Sequence, residues 1–378
     1  MPKLGILVAV LLLLAIGWPM GKVGTNAGGV GGGGGAATLT VCGANVLDTR
    51  CDYVADGVAD DVEIQAAIQA LPPSPGGGEI LLIGTFILAA EISAETIGGH
   101  FYNLTIRGLG AGVTRLTQPN GANLANLINI PDYRKDILIE GIEFDGNGLN
   151  QTTQPTFIRM YRCFRCTIQD NVFRNQAAVP GPNPSIAFTA TTEDLIIAQN
   201  RFISAGPVSN ESGGLGTTAR VIITENFFSQ YNRAWGAVGG AVSDFIITNN
   251  IFTDGLPGGM TIDIAAARNV LISGNIMDGM IHAQSAGGAD PGRIIITQNQ
   301  VLSPPETGIQ VTAGVGSEDT AVIIAQNIVL NAGEAIPGKG AIALNPSSGR
   351  SSYANSIIAD NIIIKSAGGG ISVEWVDY

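Results

Sequence analysis

Asp263 and His282 are the candidate catalytic pair of this chain. Each follows shortly after a Gly-Met phrase, Gly259-Met260 and Gly279-Met280, in two adjacent repeats. If the registers of those repeats match, the two side chains are outward neighbours on one sheet. A carboxylate beside an imidazole can move protons. The commoner fate of such a pair is a surface contact with no chemistry. A second cluster is basic. Arg159, Arg162 and Arg165 are spaced by three, with Arg134, Lys135 and Arg174 close by. Residues three apart do not share one face of a straight strand. The cluster reads either as a groove for acidic sugars or as a surface neutralised by Glu140, Glu143, Asp145 and Asp170. Aromatic candidates for stacking on a sugar ring are Tyr161, Tyr231, Trp235 and Trp375.

The cysteines form two local pairs. Cys42 and Cys51 suit a disulfide closing a small loop, provided the chain is exported. Cys163 and Cys166 point to opposite faces of any straight strand, so they pair only if a turn intervenes. A zinc site would need a second pair or a flanking His, and neither is near.

These candidates hang on a repeated phrase. Eight near-copies end in Asn171, Asn200, Asn226, Asn250, Asn275, Asn299, Asn327 and Asn361, each followed by two residues of a second short strand. VIITENFF (Val221–Phe228) and VIIAQNIV (Val322–Val329) show the form. The spacing varies between phrases and not inside them, which marks a solenoid. The Ile/Val/Thr run suits a strand, and Asn is expected to sit at the tight corner. Stacked phrases place Asn over Asn, so the amides can hydrogen-bond along the stack and remain satisfied when buried. The segments between phrases are rich in Gly, Ala, Ser and Pro and lack helical periodicity, which excludes repeating βαβ units. Further strands are expected at Ser185–Phe188, Met260–Ile264, Met280–Ala283, Gly308–Val311, Ala341–Leu344 and Gly370–Val373. Longer loops are expected at Asn147–Thr156, Ala178–Pro184 and Ser204–Gly216.

Residues 1–20 read MPKLGILVAVLLLLAIGWPM, a hydrophobic leader that is a signal peptide or a membrane anchor. Residues 21–37 are a Gly-rich linker, and residues 38–378 form the folded domain. The only membrane contact expected is through the leader, and the expected location is extracellular or at the cell surface. The net charge of −12 excludes nucleic-acid partners, which need a basic face. The stretch Asp60–Pro73 reads as a helix with Asp60 as N-cap and Glu63 completing a capping box. Val62, Ile64, Ala67, Ile68 and Leu71 form its apolar side. Laid across the first coil, it covers the open edge of the stack.

The stretch DYVADGVADDVEIQAAIQALPPSPGGGEILLIGTFIL, with its Gly84-Thr85-Phe86, resembles the opening of pectate-lyase-like parallel β-helix proteins. The later Asn phrases match the coil repeats of that superfamily, so the resemblance spans roughly residues 50 to 378. It implies an all-β, single-stranded right-handed parallel β-helix of about eleven coils with an N-terminal capping α-helix. Coils one to three fall at Ile80–Leu88, Asn103–Leu109 and Ile137–Phe144. The superfamily includes polysaccharide lyases, galacturonases, C5-epimerases and phage tailspikes. A lyase of that kind would use calcium held by acidic residues; otherwise no cofactor is expected. The short motifs Asn-Thr-Asp, Gly-Asp-Asp, Gly-His-Gly and Asp-Pro-His are absent, so no catalytic residue carries over.

The absent motifs favour a structural or adhesive protein that assembles with itself. Its self-association edge is Ile371, Val373, Trp375 and Val376, where apolar side chains meet an open strand edge. The alternatives are a polysaccharide-active enzyme, most simply a lyase, or a tailspike-type glycan-binding protein. Polysaccharide is the other partner expected. Sequons stand at Asn103, Asn150 and Asn210.

Overall fold

The computed structural model describes residues 37–47, 50–73, 76–94, 102–131, 133–176, 183–189, 192–210, 219–230, 238–255, 260–285, 292–304, 306–314, 320–333, 340–346, 353, 355–367 and 369–373. The leader, most of the linker, the aromatic candidates Tyr231, Trp235 and Trp375, and the edge residue Val376 lie outside them. No helix among the described residues is long and apolar enough to cross a membrane.

Short strands with alternating burial wind into three parallel ladders. The first is built from the Ile/Val runs, such as Ala219–Thr224 and Arg293–Thr297. The second follows each Asn, as in Phe227–Ser229 and Gln300–Leu302. The third contains the strands expected between phrases, including Ile186–Phe188, Met280–Ser285, Ile309–Ala313 and Ile371–Val373. Each strand pairs in parallel with the equivalent strand of the next coil. Like therefore stacks on like. Val221, Phe245, Val270, Ile294 and Val322 form one inward column. Phe144, Phe173, Phe202, Phe228 and Phe252 form another, with successive ring centroids 5.0, 4.8, 4.4 and 4.7 Å apart. These spacings are the stacking range for aromatic pairs.

The Asn column forms the expected hydrogen-bonded ladder. The Oδ1 of Asn250 accepts from the backbone N–H and the Nδ2 of Asn226, at 2.9 and 3.0 Å. The Nδ2 of Asn250 donates to the Ile223 carbonyl at 2.9 Å. The same pattern runs from Asn171 to Asn361. The conformation of the corner differs from expectation. The left-handed residue is the one before each Asn: Asp170, Gln199, Glu225, Asn249, Gly274, Gln298, Gln326 and Asp360 all have positive φ. That residue makes the bend, and the bend aims the Asn inward.

Eight regular turns carry this corner. The expected count of about eleven coils is met only when the less regular N-terminal coils are included. There Gly84 and Gly141, at φ 105° and 70°, stand near the corner in place of the Asn motif.

The helix α1 (Asp61–Ala70) packs Ile64, Ala67 and Ile68 into the core, whereas Val62 is exposed. The capping box does not form. Asp60 makes no side-chain cap bond; it is fully buried and accepts from the Gly57 and Ile87 backbone N–H groups, both at 2.7 Å. Asp61 accepts from the Ala89 N–H at 2.7 Å. The two carboxylates thus clamp the helix to the first coil.

Cys42 pairs with Cys51, and Cys163 with Cys166. The second pairing is possible because Arg165 is left-handed, with φ 53°. It breaks the two-residue alternation and returns both sulfurs to the interior side.

Candidate functional site

One column on the third ladder carries three of the sequence candidates, Arg159, Asp263 and His282. Its register runs Asn129, Arg159, Ala187, Ser209, Gly239, Asp263, His282, Gln310, Ala343 and Ser372. Asp263 and His282 are direct neighbours in it. The His282 Nδ1 lies 2.8 Å from the Asp263 Oδ1. Its Nε2 lies 3.4 Å from the Thr312 Oγ1, one coil further and two residues along. The Gln310 Nε2 donates to the same hydroxyl at 3.4 Å. Side-chain exposures of 34% for Asp263 and 17% for His282 leave both reachable from solvent.

This geometry fits an imidazole that donates Nδ1–H to the carboxylate and presents the Nε2 lone pair outward. The carboxylate fixes the tautomer and would stabilise an imidazolium. The backbone around the pair is irregular. Strand register shifts between Met260 and Ile262 and again between Ile264 and Ala267, on either side of Asp263. Such bulges re-aim side chains. The strand Met260–Ser273 also runs from the third ladder into the first without a break.

The basic cluster disperses. Arg159 lies on the same column as the pair, stacked on the Tyr161 ring at 5.0 Å. Four strand spacings of about 4.8 Å separate it from Asp263, roughly 19 Å. Arg162 lies over the Tyr133 ring at 4.9 Å and donates to its hydroxyl. Arg165 pairs with both oxygens of Asp136 at 2.6 Å, on the first ladder. Arg174 and Arg115 both reach Glu143 at 2.6 Å. Arg134 is buried and donates to the Ala94 carbonyl at 3.1 Å. Three-residue spacing has sent the arginines to different faces, and most of them meet a carboxylate, an aromatic ring or a carbonyl. Among the described residues no three His, Cys, Asp or Glu side chains gather to hold a metal ion. Of the sequons, Asn103 and Asn150 are exposed and Asn210 is buried.

Thr312 and Gln310 were not legible as site residues. Their nearness to His282 depends on the length of the loop between the strands, which the repeat phrase does not record.

No protein-family model matches the chain, and no curated protein matches it. Solved structures do. The surface protein and adhesin PfbA of Streptococcus pneumoniae aligns with a TM-score of 0.57 at 14% identity, over 84% of this chain and 97% of that one. An alginate lyase from Paenibacillus sp. aligns at 0.54 and 13%, over 89% and 98%. The tailspike protein of E. coli bacteriophage HK620, solved with a pentasaccharide, aligns at 0.51 and 14%, over 83% and 63%. The chain is a right-handed parallel β-helix. At these identities the likeness is one of fold, and the same β-helix serves in an adhesin, a lyase and a tailspike. Function has to be argued from the side chains it carries.

Proposed function

We propose that this β-helix acts on an extracellular polysaccharide laid along the third ladder, with His282 as the proton-transfer group and Asp263 as its orienting partner. The observation that carries the reading is the 2.8 Å contact between Asp263 and His282 on an outward, solvent-reachable column. His282 Nε2 takes a proton from the sugar, and Asp263 holds the resulting imidazolium. For a uronate, loss of the C5 proton beside the carboxyl group leads to elimination or to epimerisation. In elimination a C4–C5 double bond forms as the C4–O glycosidic bond breaks, and the leaving oxygen takes a proton from the imidazolium or water. In epimerisation water returns a proton to the opposite face of C5. Around the pair, the half-buried Asp263, His282, Gln310 and Thr312 give a sugar a polar surface to lie on. The names of the alginate lyase and of the tailspike solved with a pentasaccharide make alginate, other acidic polysaccharides and oligosaccharides the first panel to test.

The test incubates the full chain with that panel and follows unsaturated uronides by absorbance, epimerised residues by NMR and new reducing ends. Turnover that is lost in His282→Ala supports the reading. Absence of turnover and of binding across the panel overturns it. Repeating the active reaction with a chelator decides whether calcium takes part.

A second reading has its own observation. The last coil exposes Ile357, Ile362, Ile364, Ile371 and Val373, by 52, 54, 47, 53 and 37%. A structural or adhesive protein assembling end to end through this edge would cover them. Deleting residues 370–378 would then abolish assembly, and unchanged assembly rejects that edge.

A further inference from the structure

The first ladder has an outer face that neither reading uses. Its middle column is mostly aliphatic: Leu138, Thr167, Ile196, Ile222, Ile246, Leu271 and Ile295 stack in register. Along one side runs a column of alternating charge: Asp136, Arg165, Asp194, Arg220, Asp244 and Asn269. Along the other side run Glu140, Gln169 and Ala198, followed by Thr224, Thr248, Ser273 and Thr297, which are small and uncharged. A groove of about 520 Å³ lies between the charged and aliphatic columns, from Asp194 and Ile196 to Arg293 and Ile295. Ile196 is 37% exposed. The charged side chains reach outward, with Arg165 57%, Arg220 58% and Asp194 40% exposed.

We infer that this face pairs with the same face of a second copy of the chain, with the two solenoids antiparallel. The charge pattern selects both partner and direction. A two-fold axis lying in the interface, perpendicular to the solenoid axis, keeps each column opposite its own counterpart and reverses its order. Centred between Asp194 and Arg220, it sets Asp194 against Arg220, Arg165 against Asp244, and Asp136 against Asn269. Every facing pair is then opposite in charge or has one neutral member. With the solenoids parallel, the charged column would instead face the Thr/Ser column and gain nothing. A self-complementary patch of this kind is what an isologous interface requires, and like charges opposed across it would be repulsive.

The area suffices. The charged column extends by one member at each end, Asn103 and Arg293, which the same axis sets opposite each other. Five-residue strands span about 16 Å, and these seven ladder steps about 34 Å. That is on the order of 550 Å² per copy, or about 1,100 Å² in all, within reach of specific interfaces. Neither the aliphatic nor the charged column contains an aromatic ring to stack on a sugar, so a glycan is the poorer occupant.

The test is a charge-swap mixture of full-length chains, read by light scattering after size exclusion. Wild type should be dimeric. Arg220→Asp makes positions 194 and 220 both negative, and Asp194→Arg makes both positive, so each variant alone should be monomeric. A one-to-one mixture should dimerise again, because each variant then faces its opposite. Ile246→Lys should be monomeric in any mixture. Circular dichroism of each variant confirms that it is folded. A wild-type monomer, single variants that dimerise as wild type does, or a mixture that stays monomeric overturns the inference. Deletion of residues 370–378 should leave the dimer intact, which separates this face from end-to-end assembly, and glycan turnover is a separate readout.

Discussion

Asp263 and His282 are nineteen residues apart in the chain, and their side chains meet at 2.8 Å across one strand spacing. Neither residue belongs to the repeated phrase. Both stand on the third ladder, in strands whose register is shifted nearby. The solenoid supplies the placement, and the departures from its regularity supply the aim.

Removing the imidazole in His282→Ala should lower turnover of the responsive glycan by about 10²–10⁴-fold, the usual contribution of a positioned acid–base group. Asp263→Asn should lower kcat with little change in KM, because it disturbs the tautomer and leaves the surface intact. Thr312→Val should leave the fold unchanged and lower kcat less than His282→Ala does, because it removes only the hydroxyl 3.4 Å from the Nε2. Steady-state kinetics across pH checks all three.

Asn250→Ala removes the acceptor of the Asn226 backbone N–H and a donor to the Ile223 carbonyl, while the Asn226 amide keeps the Ile197 carbonyl. At about 1–3 kcal/mol for each buried unsatisfied group, the loss should be at least about 2 kcal/mol. Asn361→Ala should cost less, because Asn361 is half-buried in the last turn. Urea denaturation of the two variants compares them directly.

Acid and neutral stability should move in opposite directions at two aspartates. Burial, helped by the charge of Glu140, raises the Asp170 carboxyl above its ordinary value. Its ionised form is therefore a cost that appears as pH rises. Asp170→Asn should stabilise slightly at pH 7, with the gain shrinking in acid. The hydrogen bond from Arg220 holds Asp194 below its ordinary value of 3.8. Its contribution is present above that pH and lost as pH falls through the lowered value. Asp194→Asn should destabilise at pH 7 and be neutral in acid. Both effects are small, because both side chains are exposed, and melting temperatures at pH 3 and pH 7 resolve their signs.

Non-reducing peptide mapping should recover Cys42 linked to Cys51 and Cys163 linked to Cys166 from protein made in an oxidising compartment. A free thiol at either site would contradict the pairing. On loop closure alone, the Cys42–Cys51 link should stabilise by about 2–3 kcal/mol, and Cys163–Cys166, with its shorter loop, by about 2 kcal/mol.

The Asn column was legible because a polar residue at a fixed place in an apolar repeat needs a partner, and stacking provides one. The bend before it was not, since both residues of the polar pair tolerate a left-handed backbone and spacing does not choose between them. Asp60 suited a cap, but besides the nearby Gly57 it accepts from Ile87, which local sequence cannot bring near. The aliphatic outer column went unseen for a different reason. A run such as Val221-Ile222-Ile223 reads as buried on both faces, and only the burial pattern reveals that Ile222 points out. Asp263 and His282 were legible as a pair because each follows a Gly-Met phrase in adjacent coils, and Met260 and Met280 do pair in register.

The Asn ladder also has a direction. Each Asn gives its acceptor to the coil before it and draws on the acceptor of the coil after it, with the same three bonds at most seams from Asn171 onward. At the Asn column, each coil boundary from Asn200 to Asn327 is therefore equivalent to the next. A whole turn deleted or duplicated there should re-form the same Asn bonds, changing the length of the stack by about 4.8 Å. Such an edit preserves the cross-section yet changes the parity of the charge column and the reach from Arg159 to His282. The number of turns in this molecule is thus itself a heritable quantity, tuned independently of the shape of any one of them.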